Sequence, residues 1–387
     1  MKLAIAITLA IANLPGGPAS ADPLRLRADA LAGTQSPAGL LVLEADGKAS
    51  ATTNAEAVVW TANDSADVLV IAVRARTKDG KVGGKVGRFV ASLGALRPVH
   101  VDGAAGRVRL AKKFDVEGYA GMPVLSFEHP MSERAWDWVV GGRVARRLGD
   151  YGSVGLAMLE QRDDARLATR ELGVDAGLAI DKHHDVATRL AYDLANPAIA
   201  DAYASVIRRK NKLRGELYGG YRAASHLLPA TSLFTVLGDT PSARGGMLVS
   251  GKVAPRLELS TDMGLRGAAD EVGALLAFRA RLALDDTFTS ALTGELRRDG
   301  VGEDGWTGAR GAARIALPHS LTASTELEVV VPDRDRMRGV VWPWALAALG
   351  YERGPWRAAA AVEASASAQY KSRLDVLFSL SRLWGQP

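Results

Sequence analysis

The amino-acid sequence predicts an all-β protein, a transmembrane antiparallel up-and-down β-barrel of roughly 18 to 22 strands. The first observation is the stretch 256–298, where apolar and polar residues alternate at every second position. A period of two is typical of a β-strand, because successive side chains point to opposite faces. The second observation is strand length. These strands are about twice the usual five or six residues of soluble sheets, and they match the roughly 9 to 11 residues of a tilted bilayer crossing.

The N-terminal residues predict export. Lys2 precedes an apolar run at 3–12, and small residues follow at 19–21. This order is typical of a secretory signal peptide, here residues 1–21. The alternative, a retained membrane anchor, is disfavoured because the run is too short to span a bilayer. We therefore expect residues 22–387 to form a single barrel in the outer membrane of a Gram-negative cell.

Composition and charge argue against other classes of protein. The chain has no cysteine, so it has no disulfide framework and no thiolate metal site. Its hydrophobic content of 48% fits alternating apolar and polar positions, and it fits neither a helical membrane protein nor a disordered chain. The net charge is +5, but the arginines stand singly at alternate positions instead of forming a basic patch. No nucleic-acid partner is expected.

Strand patterns follow one another through the first half of the chain. A turn is predicted after the strand 67–76, because Asp79-Gly80 tolerates the positive φ angles of a tight hairpin. The alternation stops at 97–103 and resumes at 107–110. The predicted strands of this half include 24–31, 39–46, 55–62, 67–76, 114–124, 138–148, 151–160, 167–180, 185–194, 198–207 and 213–221.

One part of this half carries a resemblance to a known family. A strand with Gly87-Arg88 is followed by a loop with Asp102-Gly103 and then by two strands. This order, over residues 85–124, resembles the early part of long substrate-channel porins of the alginate-exporter type. The resemblance implies a channel-forming barrel.

Residues 225–244 interrupt the alternation. The segment contains His226, Phe234 and Asp239, and it is unusually apolar for an exposed loop. An apolar loop in a barrel can fold inward as a constriction or lie across the mouth as a lid. The alternative is another short strand at 232–237, because short apolar runs do not distinguish loops from strands. These three residues mark the candidate constriction loop.

The last strands carry membrane signatures. One face of the penultimate strand is an apolar stripe that begins at Trp356 and ends at Tyr370. Aromatic girdles at both interfaces are typical of a membrane barrel, and Trp138 and Trp384 are predicted to belong to them as well. The predicted strands of this half cover 257–265, 272–284, 288–296, 305–316, 321–331, 339–350, 355–370 and 372–384.

The final strand carries a second resemblance. It ends in Trp384 and is similar to the closing strand of Gram-negative outer-membrane proteins. The assembly machinery of those proteins recognises that strand. Gly385, Gln386 and Pro387 follow the aromatic residue, whereas many members end on it. The resemblance implies that the barrel-assembly machinery and periplasmic chaperones are partners during biogenesis and that outer-membrane lipid surrounds the folded protein.

The inward phase of the alternation predicts what lines the lumen. A closed sheet of this size is too wide for its own side chains to fill, and we expect no plug domain before the first strand, so the pore holds water. An excess of guanidinium would favour anions. The alternative is that opposite charges pair across strands and select nothing. The candidate pore-lining residues are Arg88, Arg143, Arg189, Arg214, Arg222, Arg266, Arg279, Arg281, Arg297, Glu258, Glu295 and Glu326.

No enzymatic activity, cofactor or metal site is expected. A nucleophile or an activated water needs a base within hydrogen-bond reach, and no motif anchors any of the histidines in such a role. His183 and His184 are neighbours on a strand and point to opposite faces, which defeats chelation unless a turn bends them together.

Three functional hypotheses follow. The first is a porin-like channel for passive diffusion of small solutes, with a preference for anions if guanidinium is in excess. The second is a structural or surface-interaction barrel of the outer membrane that its loops close. The third is a secreted soluble β-protein, which would require the outward apolar stripes to face another sheet.

Overall fold

The chain is composed almost entirely of strands. The computed structural model describes residues 24–33, 40–62, 65–110, 113–124, 137–223, 241–268, 271–287, 289–301, 305–333, 341–366 and 372–384. Within these residues it contains 22 strands and no α-helix. In this part of the chain, no helix is long and apolar enough to cross a membrane. The predicted all-β class and strand number are confirmed, and the predicted signal peptide lies outside the described residues.

The strands group into two compact units, and the first consists of Met1–Ile71, Ser250–Thr261 and Ala274–Pro387. Its complete strands are β1 (Leu24–Gly33), β2 (Leu40–Ser50), β3 (Thr53–Ala62), β17 (Ala291–Asp299), β18 (Trp306–Leu317), β19 (Leu321–Pro332), β20 (Trp342–Arg353), β21 (Trp356–Ser365) and β22 (Arg373–Trp384).

The second unit consists of Ala72–Val249 and Asp262–Gly273. Its complete strands are β5 (Val82–Ala91), β6 (Val99–Leu110), β7 (Phe114–Pro123), β8 (Trp138–Arg147), β9 (Gly152–Asp163), β10 (Arg166–Ala179), β11 (His184–Asp193), β12 (Ala198–Lys210) and β13 (Leu213–Arg222). The strands with residues in both units are β4 (Ser65–Arg76), β14 (Ser242–Ala254), β15 (Leu257–Ala268) and β16 (Glu271–Ala283).

In the first unit, the beginning and the end of the chain pair with each other. Strands β16 to β22 each pair antiparallel with the next, and β22 then pairs with β1 from Leu24↔Trp384 to Gly33↔Asp375. Strands β1, β2 and β3 continue the series. Because the first strand pairs with the last, neither β1 nor β22 has a free edge. The fold class is that of a transmembrane antiparallel up-and-down β-barrel.

In the second unit, β5 to β13 form one uninterrupted antiparallel series. The connections after odd-numbered strands include 92–98, 124–137 and 223–241, whereas even-numbered strands end in short turns such as 148–151 and 211–212. Outer-membrane barrels have short periplasmic turns and longer extracellular loops. The ends of the odd-numbered strands therefore correspond to the extracellular side.

The predicted turn after β4 is confirmed. Gly80 has a φ of 66°, a conformation in which a side chain would be strained. Asp79 Oδ1 accepts hydrogen bonds from Thr77 Oγ1 at 2.6 Å and from Lys81 N at 3.1 Å. The turn is short because the aspartate satisfies donors within it and the glycine reverses the chain.

Strand β8 has one charged face and one apolar face, and strand register extends both faces to its neighbours. We call the face with Arg143 and Arg147 the charged face, and the face with Trp138, Val140 and Val144 the apolar face. The three apolar side chains are 38% to 49% exposed. A continuous band of exposed large apolar side chains suits hydrocarbon and not water. The apolar face is therefore the lipid-facing surface.

The turn between β16 and β17 lies later than the sequence predicted. A strand was expected at 288–296, but β17 spans Ala291–Asp299. Asp285 is the reason, because it accepts hydrogen bonds from the backbone amides of Thr287, Thr289 and Ser290 at 3.1, 2.9 and 2.6 Å. A carboxylate that satisfies several successive amides holds them in a turn instead of a ladder.

Ionised Asp285 is expected to stabilise this turn at neutral pH. Hydrogen bonds lower the pKa of Asp285 below its ordinary value, and the bond from the Thr289 hydroxyl makes the largest contribution. Because the folded-state pKa is depressed, the stabilisation is complete above about pH 4 and is lost as the pH falls through the folded value. Asp285→Asn should therefore speed amide hydrogen exchange at Thr289 and Ser290 about three- to tenfold at pH 7. Equal exchange in both proteins at pH 7 would contradict this role.

Candidate functional site: the charged face and the segment that crosses it

The charges on the charged face form clusters of one kind, of which Asp201 on β12 is an example. Its carboxylate accepts hydrogen bonds from Arg189 Nε at 2.6 Å and from Arg222 Nε at 3.1 Å. The Asp201 side chain is 2% exposed, whereas those of Arg189 and Arg222 are 38% and 40% exposed. The short aspartate lies against the sheet, and the longer arginines extend past it.

Asp115 on β7 is the centre of a cluster with three arginines. Its carboxylate lies 2.6 Å from Arg147 Nε, 3.4 Å from Arg109 Nε and 3.4 Å from Arg107 Nη2. Asp115 is 6% exposed, whereas Arg107 is 51% exposed. The register pairs Arg109 with Asp115 directly and Arg107 with Glu117, so neighbouring strands bring these groups together. The guanidiniums outnumber the carboxylates here.

The first unit repeats the arrangement. Glu295 on β17 is 6% exposed and accepts hydrogen bonds from Arg279 and Arg297, which are 52% and 32% exposed. Asp375 on β22 lies beneath Arg373 in the same way. In these clusters the carboxylates are covered and the guanidiniums are not, so each cluster presents positive charge, whereas Arg281 and Glu258 are both 43% exposed.

The ion pair of Arg143 and Asp175 departs from this arrangement. Arg143 donates to Asp175 through Nε at 2.9 Å and through Nη2 at 2.6 Å. Both side chains are largely covered, at 13% and 18% exposure. Such a pair needs a cover on the side away from the sheet, and a segment of the second unit supplies it.

We call residues 92–98, which connect β5 to β6, the crossing segment. Leu93, Ala95 and Leu96 are all buried. Ala95 clusters with Ala191 on β11 and Ala200 on β12. The segment thus begins at the end of β5, lies across the charged face as far as β12, and returns to the start of β6.

An ion pair fastens the crossing segment. Arg97 Nε donates to Glu171 Oε1 at 2.6 Å, and the backbone amide of Arg97 donates to Oε2 at 3.3 Å. The side chain of Glu171 on β10 is 0% exposed. Burial of a carboxylate is costly unless a cation and hydrogen bonds compensate it, so this contact holds the segment in one position.

Gly94 allows the close approach of the crossing segment to the Arg143–Asp175 pair. It has a φ of +57°, and a Cβ at this position would lie 2.1 Å from Asp175 Oδ2 and 2.9 Å from Arg143 Nε. Only glycine fits both the conformation and the space. The segment is therefore shaped to lie on this ion pair.

All of the candidate pore-lining residues except Arg88, which differs from the prediction, lie on the charged face. Strand register and alternation place on the charged face Arg143, Arg189, Arg214, Arg222, Arg266, Arg279, Arg281, Arg297, Glu258, Glu295 and Glu326. Arg88 lies on the apolar face with Val86 and Val90, and it donates to Asp102 at 2.7 and 2.8 Å. Phe89 explains this position, because it is buried on the charged face at 1% exposure. Its neighbour Arg88 must therefore point to the opposite face.

The predicted interface aromatics and the predicted constriction loop are described only in part. Trp138 and Trp356 lie on the apolar face at strand ends, where Arg162 and Arg382 stack on them at 5.6 and 4.8 Å. Tyr370 and the side chain of Trp384 lie outside the described residues, as does the candidate loop with His226, Phe234 and Asp239. The crossing segment was not predicted as a constriction.

The adjacent residues His183 and His184 contact different groups. His183 Nδ1 contacts the carbonyl oxygen of Arg209 at 2.9 Å, and His184 Nδ1 contacts Asp181 Oδ2 at 2.9 Å. In the described residues, no group of three or more His, Cys, Asp or Glu side chains is placed to hold a metal ion.

Comparison with known proteins reveals a shared fold. No protein-family model and no curated protein sequence matches the chain. The translocation pore of the P pilus usher PapC is 8% identical with a TM-score of 0.52, over 95% of this chain and 99% of that chain. A BenF-like porin from Pseudomonas fluorescens Pf-5 is 12% identical with a TM-score of 0.44, over 94% of this chain and 98% of that chain. The likeness to PapC shows the architecture alone.

Proposed function

We propose that this chain is an outer-membrane channel through which small solutes diffuse passively, with a preference for anions. After removal of a signal peptide, residues 1–21, the rest of the chain, 22–387, forms a single barrel. The charged face lines the lumen and the apolar face contacts lipid. The proposal includes no catalytic step and no cofactor.

The covered carboxylates support the anion preference. If all opposite charges were equally exposed, they would cancel and select nothing. Asp115, Asp201, Glu295 and Asp375 are instead 2% to 6% exposed beneath arginines that are 32% to 52% exposed. A passing solute therefore meets guanidinium first, and rings of arginine favour anions.

The crossing segment supports a restricted lumen. It lies on the charged face, and its Arg97 pairs with the buried Glu171 of β10. A wide barrel that keeps a packed segment inside admits small solutes and excludes large ones. We expect this restriction to act on size, while the exposed arginines act on charge.

The surroundings of the barrel complete the proposal. Outer-membrane lipid covers the apolar face, as its exposed large side chains require. The barrel-assembly machinery and periplasmic chaperones are the partners that insert the chain, through the closing strand β22. Small solutes are the transient ligands.

The packed crossing segment also favours a second candidate function. A barrel whose lumen is closed by such segments conducts nothing and serves as a structural or surface-interaction element. The burial of Leu93, Ala95 and Leu96 on the charged face is the observation in favour of it.

Planar-bilayer recording across a salt gradient tests the proposal and separates the two functions. The protein is residues 22–387, refolded and checked by heat-modifiable electrophoretic mobility. Discrete steps with a reversal potential on the anion side are expected. An absence of conductance steps from protein shown to be folded would favour the structural barrel. Steps without charge selectivity would retain the channel and refute the anion preference.

A further inference from the structure

A cluster of charges lies on the lipid-facing side of the second unit. Strand register places Glu160 and Arg162 of β9 on the apolar face with Val140 and Trp138 of β8, and it pairs Arg170 of β10 with Glu160. Charges on the lipid face of a barrel are costly in the middle of the bilayer and are tolerated at the interfaces. This cluster lies at the start of β8, the end of β9 and the start of β10.

Glu160 holds the two guanidiniums side by side. Arg162 Nε donates to Glu160 Oε1 at 2.9 Å, and Arg170 donates to Oε2 through Nε at 3.0 Å and Nη2 at 2.7 Å. Arg162 also donates through Nη1 to the carbonyl oxygen of Ala165 at 3.3 Å. Two arginines fixed in this way lose less side-chain entropy when they bind a further anion.

The cluster retains donors and positive charge for such an anion. Within the described contacts, Arg162 Nη2 and Arg170 Nη1 have no partner. The arginines are 37% and 36% exposed, whereas Glu160 is 14% exposed. Two guanidiniums against one carboxylate leave a net charge of one positive unit. Guanidinium forks bind phosphate oxygens in a bidentate manner.

Aromatic side chains locate the cluster at membrane-interface depth. Arg162 stacks on Trp138 at 5.6 Å, and Tyr192 of β11 is exposed on the apolar face opposite Leu172. Trp and Tyr on the lipid-facing side of a barrel belong at the level of the lipid headgroups. The turn 164–165 between β9 and β10 is short, but the neighbouring connection 124–137 between β7 and β8 is long, so the cluster lies on the side assigned as extracellular.

We propose that Arg162 and Arg170 bind a phosphate group on the headgroup of an outer-leaflet lipid, with Trp138 beside it. Charge complementarity, free guanidinium donors and interface depth all select a phosphorylated lipid over a neutral one. The inference rests on the outer-membrane location and orientation, and it is independent of whether the lumen conducts.

Native mass spectrometry of the folded protein in detergent tests the site. The probes are lipid A with its phosphates and the same lipid after dephosphorylation. The native protein is expected to bind the phosphorylated lipid about tenfold more tightly. Equal binding of the two lipids would overturn the proposal without the use of any variant.

A triple variant assigns the binding to these residues. Glu160→Gln, Arg162→Gln and Arg170→Gln together remove the charges without leaving an unpaired carboxylate, and the preference for phosphorylated lipid should disappear. The matched control is Arg146→Gln, an exposed apolar-face cation at the other end of β8, which should keep it. Retained preference in the triple variant, or its loss in the control, would refute the site.

Displacement by inorganic phosphate at the lipid concentration would identify free phosphate as the ligand and refute the lipid assignment. Channel recordings of the same proteins report separately on the proposed function.

Discussion

Arg97→Gln is expected to release the crossing segment from the charged face and to raise the single-channel conductance about twofold. The substitution removes the guanidinium that pairs with Glu171, whose side chain is 0% exposed. Removal of one partner of a buried ion pair costs about 3–5 kcal/mol. The carboxylate gains hydration when the crossing segment moves away from β10.

Thiol labelling measures the release directly. The chain has no cysteine, so a single Ala95→Cys substitution provides a unique reporter. Ala95 is 2% exposed, and the introduced thiol should be protected in the otherwise native protein and reactive once Arg97→Gln is added. Conductance and labelling should change together.

Two further variants separate release from a general loss of stability. Gly94→Ala should release the segment as well, because its Cβ would lie 2.1 Å from Asp175 Oδ2 and a left-handed alanine costs about 1–2 kcal/mol. Arg214→Gln removes an arginine from a more exposed pair with Glu216 and should leave the labelling of Ala95→Cys unchanged. Unchanged conductance and continued protection in folded Arg97→Gln would show that the ion pair does not hold the segment.

The double substitution Arg107→Gln and Arg109→Gln is expected to reduce the anion-to-cation permeability ratio about twofold. It removes two guanidiniums next to Asp115 and keeps the 2.6 Å contact of Arg147 with that carboxylate. The buried carboxylate thus retains a partner, so the change acts on exposed charge and spares the fold. The reversal potential across a salt gradient gives the ratio.

The control for selectivity is a cation on the opposite face of the same region. Arg146 neighbours Arg147 on β8 but shares the apolar face with Phe114 and Val154. Arg146→Gln should leave the reversal potential unchanged. An equal shift in the control, or none in the double variant, would mean that lumen arginines do not determine selectivity.

Period-two alternation is a local property, and most strands could be predicted from it, although β6 begins at Val99 inside the predicted interruption 97–103. The stretch 257–265 was predicted as a strand and is part of β15, Leu257–Ala268. The Asp79-Gly80 turn was predictable for the same reason, because its donors and its φ requirement lie within a few residues. The sequence thus determined the fold class and the strand order with no reference to distant contacts.

The crossing segment could not be predicted, because its partners lie far along the chain. Arg97 and Glu171 are 74 residues apart. In the sequence, Arg97 is one charge between two strands and Glu171 is one charge within a strand. The phase of Arg88 was also unpredictable, since arginine can be on the apolar face when a neighbour such as Asp102 neutralises it. Strand pairing decides such contacts.

An antiparallel membrane barrel with one charged and one apolar face was predictable from residue order, because both features follow from alternation along single strands. Which charges are covered and which are exposed depends on contacts between strands. Register brings Asp115 beneath Arg107 and Arg109, and it brings Asp201 beneath Arg189 and Arg222. The depth of a carboxylate depends on the side chains of neighbouring strands, and a one-dimensional pattern contains no information about that depth.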